Sequence, residues 1–206
     1  TNLEYFPQKN MLNTAEIFRL KALLLCKVGD TEHANQAFSS ALQLCKGASP
    51  SCWISWGSLC EERYKEAGSQ SAVWLEHTMT CYMMALRSAT PAARALIPRI
   101  LSFLSFETAS SDSGSKTVCG KVWQRLADKI PVNVWVVHIA QLLLSLQRPE
   151  AELVQPVLMN IAAMYPQALY CWLRNFLLER KATQQQAQNK QKMEHAQRQA
   201  SAGQAS

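Results

Sequence analysis

Four prolines divide this 206-residue chain at nearly even intervals, and each stands at the head of an apolar stripe with helical spacing. Pro50, Pro91, Pro131 and Pro166 are separated by 41, 40 and 35 residues along the numbering. Proline suits the first turn of a helix, where its missing N–H has no intrahelical partner to lose. Helix-pair arrays repeat every 34 residues or so in tetratricopeptide proteins and about every 40 to 47 in HEAT-like ones. The spacing therefore predicts an all-α fold, a solenoid of tetratricopeptide- or HEAT-like helix pairs. It holds four pairs and the opening helix of a fifth.

The stripes follow the i, i+3, i+4 rule of a single helix face. Asn13 or Thr14 reads as a cap ahead of acidic Glu16, and Ile17, Leu20, Leu24 and Val28 are expected to pack inward until Gly29 stops the helix. Asp30 is placed to cap a second helix that buries Ala34, Ala37, Phe38, Ala41, Leu42 and Cys45. The third, Ser51 to about Lys65, aligns Trp53, Trp56, Gly57, Cys60 and Tyr64, and the fourth Leu75, Met79, Tyr82 and Leu86. Next comes Leu96, Ile97, Ile100, Leu101 and Leu104, where Pro98 must either kink the helix or stand near its start.

Val118, Val122, Leu126 and Ile130 predict a sixth helix ending before Pro131, and Trp135, Ile139, Leu142, Leu143 and Leu146 a seventh. The eighth carries Leu153, Val154, Val157, Leu158 and Ile161, with Pro156 near its first turns. Leu169, Tyr170, Leu173, Phe176 and Leu177 form the ninth. With only seven glycines and no sustained apolar/polar alternation, sheet is not expected. Trp53-x2-Trp56-Gly57-x2-Cys60 approximates the first-helix pattern of a tetratricopeptide unit, and Ala34-x3-Phe38 the second-helix pattern.

Residues 1–182 thus read as one helical repeat array. Residues 183–206, TQQQAQNKQKMEHAQRQASAGQAS, contain no Leu, Ile, Val or aromatic residue and so no face with which to dock. Burial there cannot offset the entropy of ordering, and a disordered Gln/Ala-rich tail is expected. Glu107 to Lys116, ETASSDSGSK, is predicted to be a surface loop. Neither end shows a polar capping repeat, so the array is expected to continue on at least the C-terminal side.

Hydrophobic residues make up 48% of the chain, six of them Trp, which implies a folded body. No apolar run approaches the roughly 18 to 20 residues that span a bilayer. Seven cysteines, Cys26, Cys45, Cys52, Cys60, Cys81, Cys119 and Cys171, form no CxxC pair and fall mostly on apolar stripes, so reduced thiols and a soluble intracellular setting are expected. The net charge is +6, of which Lys190, Lys192 and Arg198 against Glu194 place +2 in the tail and leave +4 on the body. Without a basic cluster and interleaved aromatics, no direct contact with nucleic acid is expected.

Catalytic signatures are absent from the sequence. It has no GxxxxGK[ST], GxGxxG, GxSxG or HExxH motif, no kinase HRDxxxxN or DFG loop, and no Cys/His set with ligand spacing. His33, His77, His138 and His195 are isolated from one another, and the acidic pairs Glu61/Glu62 and Glu150/Glu152 are expected on solvated helix faces. No catalytic, cofactor-binding or metal residue is assigned, and the residues that contact partners are not identified. Trp74, Trp123 and Trp172 are candidates for core or contact.

The opening words are more specific than a packing stripe requires. Asn2 to Lys21, NLEYFPQ-x-NMLNTAEIFRLK, resembles a block in the FAT region of the transformation/transcription domain-associated family, kinase-like scaffolds within the phosphatidylinositol-3-kinase-like kinase superfamily. The likeness continues through Ala34-x2-Ala37-Phe38-Ser39, Trp53-x2-Trp56-Gly57, Cys81-Tyr82, Leu101-x2-Leu104-Ser105-Phe106 and Tyr165-Pro166-Gln167-Ala168. The Ser-rich loop and the tail depart from it. The resemblance implies a FAT-type solenoid, a nuclear location and a non-catalytic scaffold role in transcription coactivators of the SAGA and NuA4/TIP60 acetyltransferase type, with no cofactor. The partners it implies are other complex subunits, transcriptional activators, flanking FAT repeats and a pseudokinase domain that lies outside this chain. Two other readings share the architecture: the FAT region of an active Ser/Thr kinase, and a free-standing tetratricopeptide adaptor for short peptides.

Overall fold

The computed structural model describes the backbone of residues 5–67, 71–109 and 116–203, and the side chains of 11–67, 71–109 and 116–193. Residues 1–4, 68–70, 110–115 and 204–206 lie outside the described residues, and with them most of the expected Ser-rich loop. Helices follow one another as α1 (Tyr5–Val28), α2 (Thr31–Leu44), α3 (Pro50–Glu66), α4 (Ser71–Leu86), α5 (Pro91–Arg94), α6 (Ile97–Thr108), α7 (Val118–Leu126), α8 (Ile139–Ser145), α9 (Ala151–Met164) and α10 (Pro166–Gly203). Among the described residues there is no strand, and the chain is an all-α helical repeat solenoid. No helix among them is long and apolar enough to cross a membrane.

Local chemistry sets the breaks between pairs. Gly29, at φ +86°, takes the left-handed position after α1, where its N–H reaches Cys26 O and that of Asp30 reaches Leu25 O. Asp30 then accepts from the His33 N–H as the cap of α2. Ser49, Thr90 and Thr117 cap α3, α5 and α7 in the same way, and Pro50 and Pro91 occupy the first turns behind them. Pro98 likewise sits in the first turn of α6, so the short α5 and α6 are separate helices rather than one kinked one.

The largest interfaces join α1 to α2 and α3 to α4. The first pair is held by small residues: Ala15 and Ala22 of α1 share a cluster with Ala34, Ala37, Ala41 and Phe38 of α2. Small side chains let two helices approach closely. The α1 stripe named from the sequence faces the other way. Ile17, Leu20, Leu24 and Val28 are 65%, 48%, 64% and 81% exposed, because α1 is apolar on two sides and the alanine side is the one that meets α2. The helix also starts at Tyr5 rather than near Asn13.

From α4 onward one continuous core runs to Leu169. Trp123 of α7 and Trp135 lie at its centre, ring centroids 5.2 Å apart, and the Trp123 indole N–H donates to Leu153 O at 2.8 Å. The predicted sixth and seventh helices are each partly 3-10. Residues 127–129 tighten before Pro131, and Val132–Val134 and Val136–His138 form short 3-10 turns ahead of α8. Crowded β-branched valines disfavour a continuous α-helix there. Pro156 stands inside α9, where its ring nitrogen cannot donate to the carbonyl of Glu152, an exposed residue one turn earlier.

α10 departs from expectation. It runs as one helix of 38 residues to Gly203, so residues 183–203 are helical rather than disordered. The described side chains from Glu179 to Met193 are all exposed. No Gly or Pro interrupts the run before Gly203, and Ala, Gln, Lys, Arg and Glu are strong helix formers. Local propensity carries the helix on after packing has ended.

Candidate protein-interaction surface

Three features of the surface carry chemistry beyond packing. The first is the outer side of α1. Leu20, Leu23, Leu24 and Cys26 face Leu59 of α3 across an open groove of about 610 Å³, with Ser55, Ser58, Lys27 and Glu62 on its rims. Arg19 reaches the lining through Ser55. Its guanidinium donates to Ser55 Oγ at 3.2 Å and, through Nε, to Glu16 Oε2 at 2.9 Å, and this hydrogen bond holds the Glu16 carboxyl below its ordinary pKa. Leu12, Ile17 and Val28 extend the apolar strip beyond the groove. Full burial of a side chain of this size contributes about 1.5–3 kcal/mol, so a strip of this length is a strong basis for association.

A smaller apolar cleft of about 280 Å³ lies on α10, where Tyr170, Leu173, Leu177 and Leu178 stand beside Arg174 and Lys181. Trp172, one of the aromatic candidates, is 51% exposed on the same helix, whereas Trp123 is core and Trp74 is half-buried against His77. Trp56 stacks with Phe38 and with Trp53, and the two indoles anchor the turn between α2 and α3. The Trp53 indole N–H donates to Gly47 O at 2.9 Å and that of Trp56 to Asn35 Oδ1 at 2.8 Å.

The third feature is electrostatic. Folding brings Lys46, Arg87 and Lys129 to one cavity of about 440 Å³ beside Trp53, a cluster the linear sequence did not reveal. Each cation follows the last turn of a helix, where it complements the negative end of the helix dipole. That role accounts for their positions.

The acidic pairs divide as helix geometry requires, one member inward and one outward, and the inward members are not solvated. Glu61 is 3% exposed, accepts from the Tyr82 hydroxyl at 2.8 Å and pairs with Lys65 at 3.0 Å and with Arg99, joining α3, α4 and α6. Glu150 is fully buried and accepts from Thr108 at 3.2 Å. Among the described residues no three of His, Cys, Asp and Glu converge to hold a metal ion. His33 pairs with Asp30 at 2.8 Å and His138 with Gln141 at 3.1 Å, both exposed; the side chain of His195 lies outside the described residues.

Six cysteines are buried or half-buried and Cys171 is exposed; all are free thiols. Burial pushes Cys52 up to about 12 and raises Cys26 and Cys119 as well, while Cys81 is raised chiefly by its hydrogen bond with Cys60 and by burial. Such thiols are held in the protonated, unreactive form.

No family model matches the chain. Individual relatives do. Over 175 residues, 84% of this chain, it is 34% identical to the SAGA complex/NuA4 acetyltransferase complex subunit TRA1 of Saccharomyces cerevisiae. Over 188 residues, 90% of the chain, it is 33% identical to transcription-associated protein 1 of Drosophila melanogaster and 30% identical to the human transformation/transcription domain-associated protein. The chain spans only 4% to 5% of the length of these relatives. Identity at this level along 84% to 90% of an all-α repeat array agrees with the resemblance read from the sequence, and the chain belongs to the Tra1 and transformation/transcription domain-associated family.

Proposed function

We propose that this chain is a non-catalytic scaffold segment of a transcription coactivator, acting within acetyltransferase complexes of the SAGA/NuA4 kind. The observation that carries the reading is its identity of 30% or more, along most of its length, with relatives whose names place them in transcription and, for the yeast protein, in those complexes. Its surface suits the role: apolar strips on α1 and α10 invite neighbouring helices.

In this reading the outer face of α1 and the groove it shares with α3 pack against other FAT repeats or complex subunits. The kinase-like domain lies outside the chain and does not catalyse, and the protein works in the nucleus. Affinity capture of the native full-length protein from nuclear extract, with mass spectrometry of what accompanies it, tests the reading. Recovery of an acetyltransferase with its adaptor subunits is expected. Recovery of a protein-kinase assembly, or a downstream kinase-like domain with intact catalytic and metal-binding aspartates, would overturn it in favour of an active kinase.

A further inference from the structure

A second groove lies away from the α1 face. Between α6 and α8 the surface opens into a cleft of about 490 Å³. Pro98, Leu101 and Phe106 of α6 and Leu144 of α8 give it an apolar lining, and Phe106 and Leu144 are 70% and 52% exposed. Interspersed with them are four hydrogen-bonding side chains, Ser102, Ser105, Gln141 and Ser145. Arg148 is the sole charged residue on the wall.

Two properties decide what fits. A helix satisfies its own backbone and docks best on an apolar trough, whereas an extended segment brings unpaired N–H and C=O groups that need polar partners. The hydroxyl and amide groups set among the apolar ones in this cleft serve the extended segment. The charge selects the rest. Among the described residues Arg148 is in no ion pair; Nη1 donates only to Ser105 Oγ at 3.1 Å. Glu150, two residues on, does not neutralise it, because its carboxylate is turned into the core against Thr108. A guanidinium held this way has donors left for a carboxylate.

We propose that the α6/α8 groove binds a short extended peptide segment of a partner protein, one that places a bulky apolar side chain against Phe106 and Leu144 and a carboxylate on Arg148. The carboxylate is an Asp or Glu side chain of that segment. This inference does not depend on the coactivator reading.

The test uses the whole 206-residue chain. A random seven-residue phage-displayed library is selected on it, and the enriched peptides are synthesised with a fluorescent label for polarisation binding. Arg148→Gln and Phe106→Ser serve as variants; both side chains are exposed, and unchanged thermal melts verify that the variants fold. Enriched sequences are expected to pair a bulky apolar residue with a carboxylate, and each variant is expected to weaken binding about tenfold or more. Asp→Asn or Glu→Gln exchange in the peptide is expected to abolish binding, and amidation of its C-terminus to leave binding unchanged. Failure to enrich any sequence, binding indifferent to the Asp→Asn or Glu→Gln exchange, binding lost on C-terminal amidation, binding unaltered by Arg148→Gln, or a peptide that binds as a helix would each overturn the proposal.

Discussion

Gly57 shows how closely α3 and α4 meet. A Cβ built there would stand 2.5 Å from Tyr82 Cε1 and 3.2 Å from the Cys81 Cβ, so the glycine is required by packing and not by backbone conformation. Gly57→Ala is expected to cost about 1–3 kcal/mol, the usual penalty of overpacking a filled site, read as a lower Tm with unchanged helix content. The thiols give a second prediction. Cys171 should be alkylated rapidly in the native chain, while Cys60, Cys81 and Cys119 react only on unfolding, as peptide mapping after an iodoacetamide pulse would reveal. Their pH dependence has a definite sign. Cys52 rises on folding from 9.0 to about 12, so the stability of its protonated form is whole below pH 9 and is lost as pH climbs toward 12. The fall in Tm over that alkaline window should be shallower in Cys52→Ala than in the parent chain.

At the scale of elements, the junctions between pairs depend on carboxylates that reach across chain breaks. Glu107, read from the sequence as the first residue of a loop, instead lies in the last turn of α6. Its two oxygens accept from the Val118 and Cys119 N–H groups at 3.0 and 2.7 Å, beside the Thr117 cap of α7. A negative charge at a helix N-terminus is stabilising, and removing a capping group typically costs about 1 kcal/mol. Glu107→Ala should therefore lower stability by about that much and speed hydrogen exchange at the amides of Val118 and Cys119 before any others in α7. Little change in either amide would mean that Thr117 suffices to start the helix.

The whole molecule is an array with two buried clusters, one among α1, α2 and α3 and one from α4 onward, and with unpartnered apolar sides. Its C-terminal helix is two things at once: Leu169, Leu173 and Phe176 pack on the core, while the described residues from Glu179 onward touch nothing that buries them. An unpacked helix is marginal in water even when its residues favour it. Truncation after Ala182 should leave the Tm of the body within about 1 °C and remove mainly helical circular dichroism signal, because a segment that buries no apolar area contributes little to global stability. A large fall in Tm would show that the tail docks.

The pattern of helices was legible in the sequence because it rests on local rules: proline at first turns, Ser, Thr and Asp caps, Gly29 after α1, and stripes such as Leu75, Met79, Tyr82 and Leu86, all of them buried. The opening block and repeat words were equally legible as family signature. Which side of α1 packs was not, because both sides are apolar and periodicity carries no information about a neighbour's shape. Only the closeness of α2, admitted by alanines, turned Ile17, Leu20, Leu24 and Val28 outward. The inward turn of Glu61 and Glu150, the meeting of Lys46, Arg87 and Lys129, and the α6/α8 groove are likewise products of tertiary structure. Each joins residues far apart along the chain, and burial and charge at such places depend on what packs opposite them.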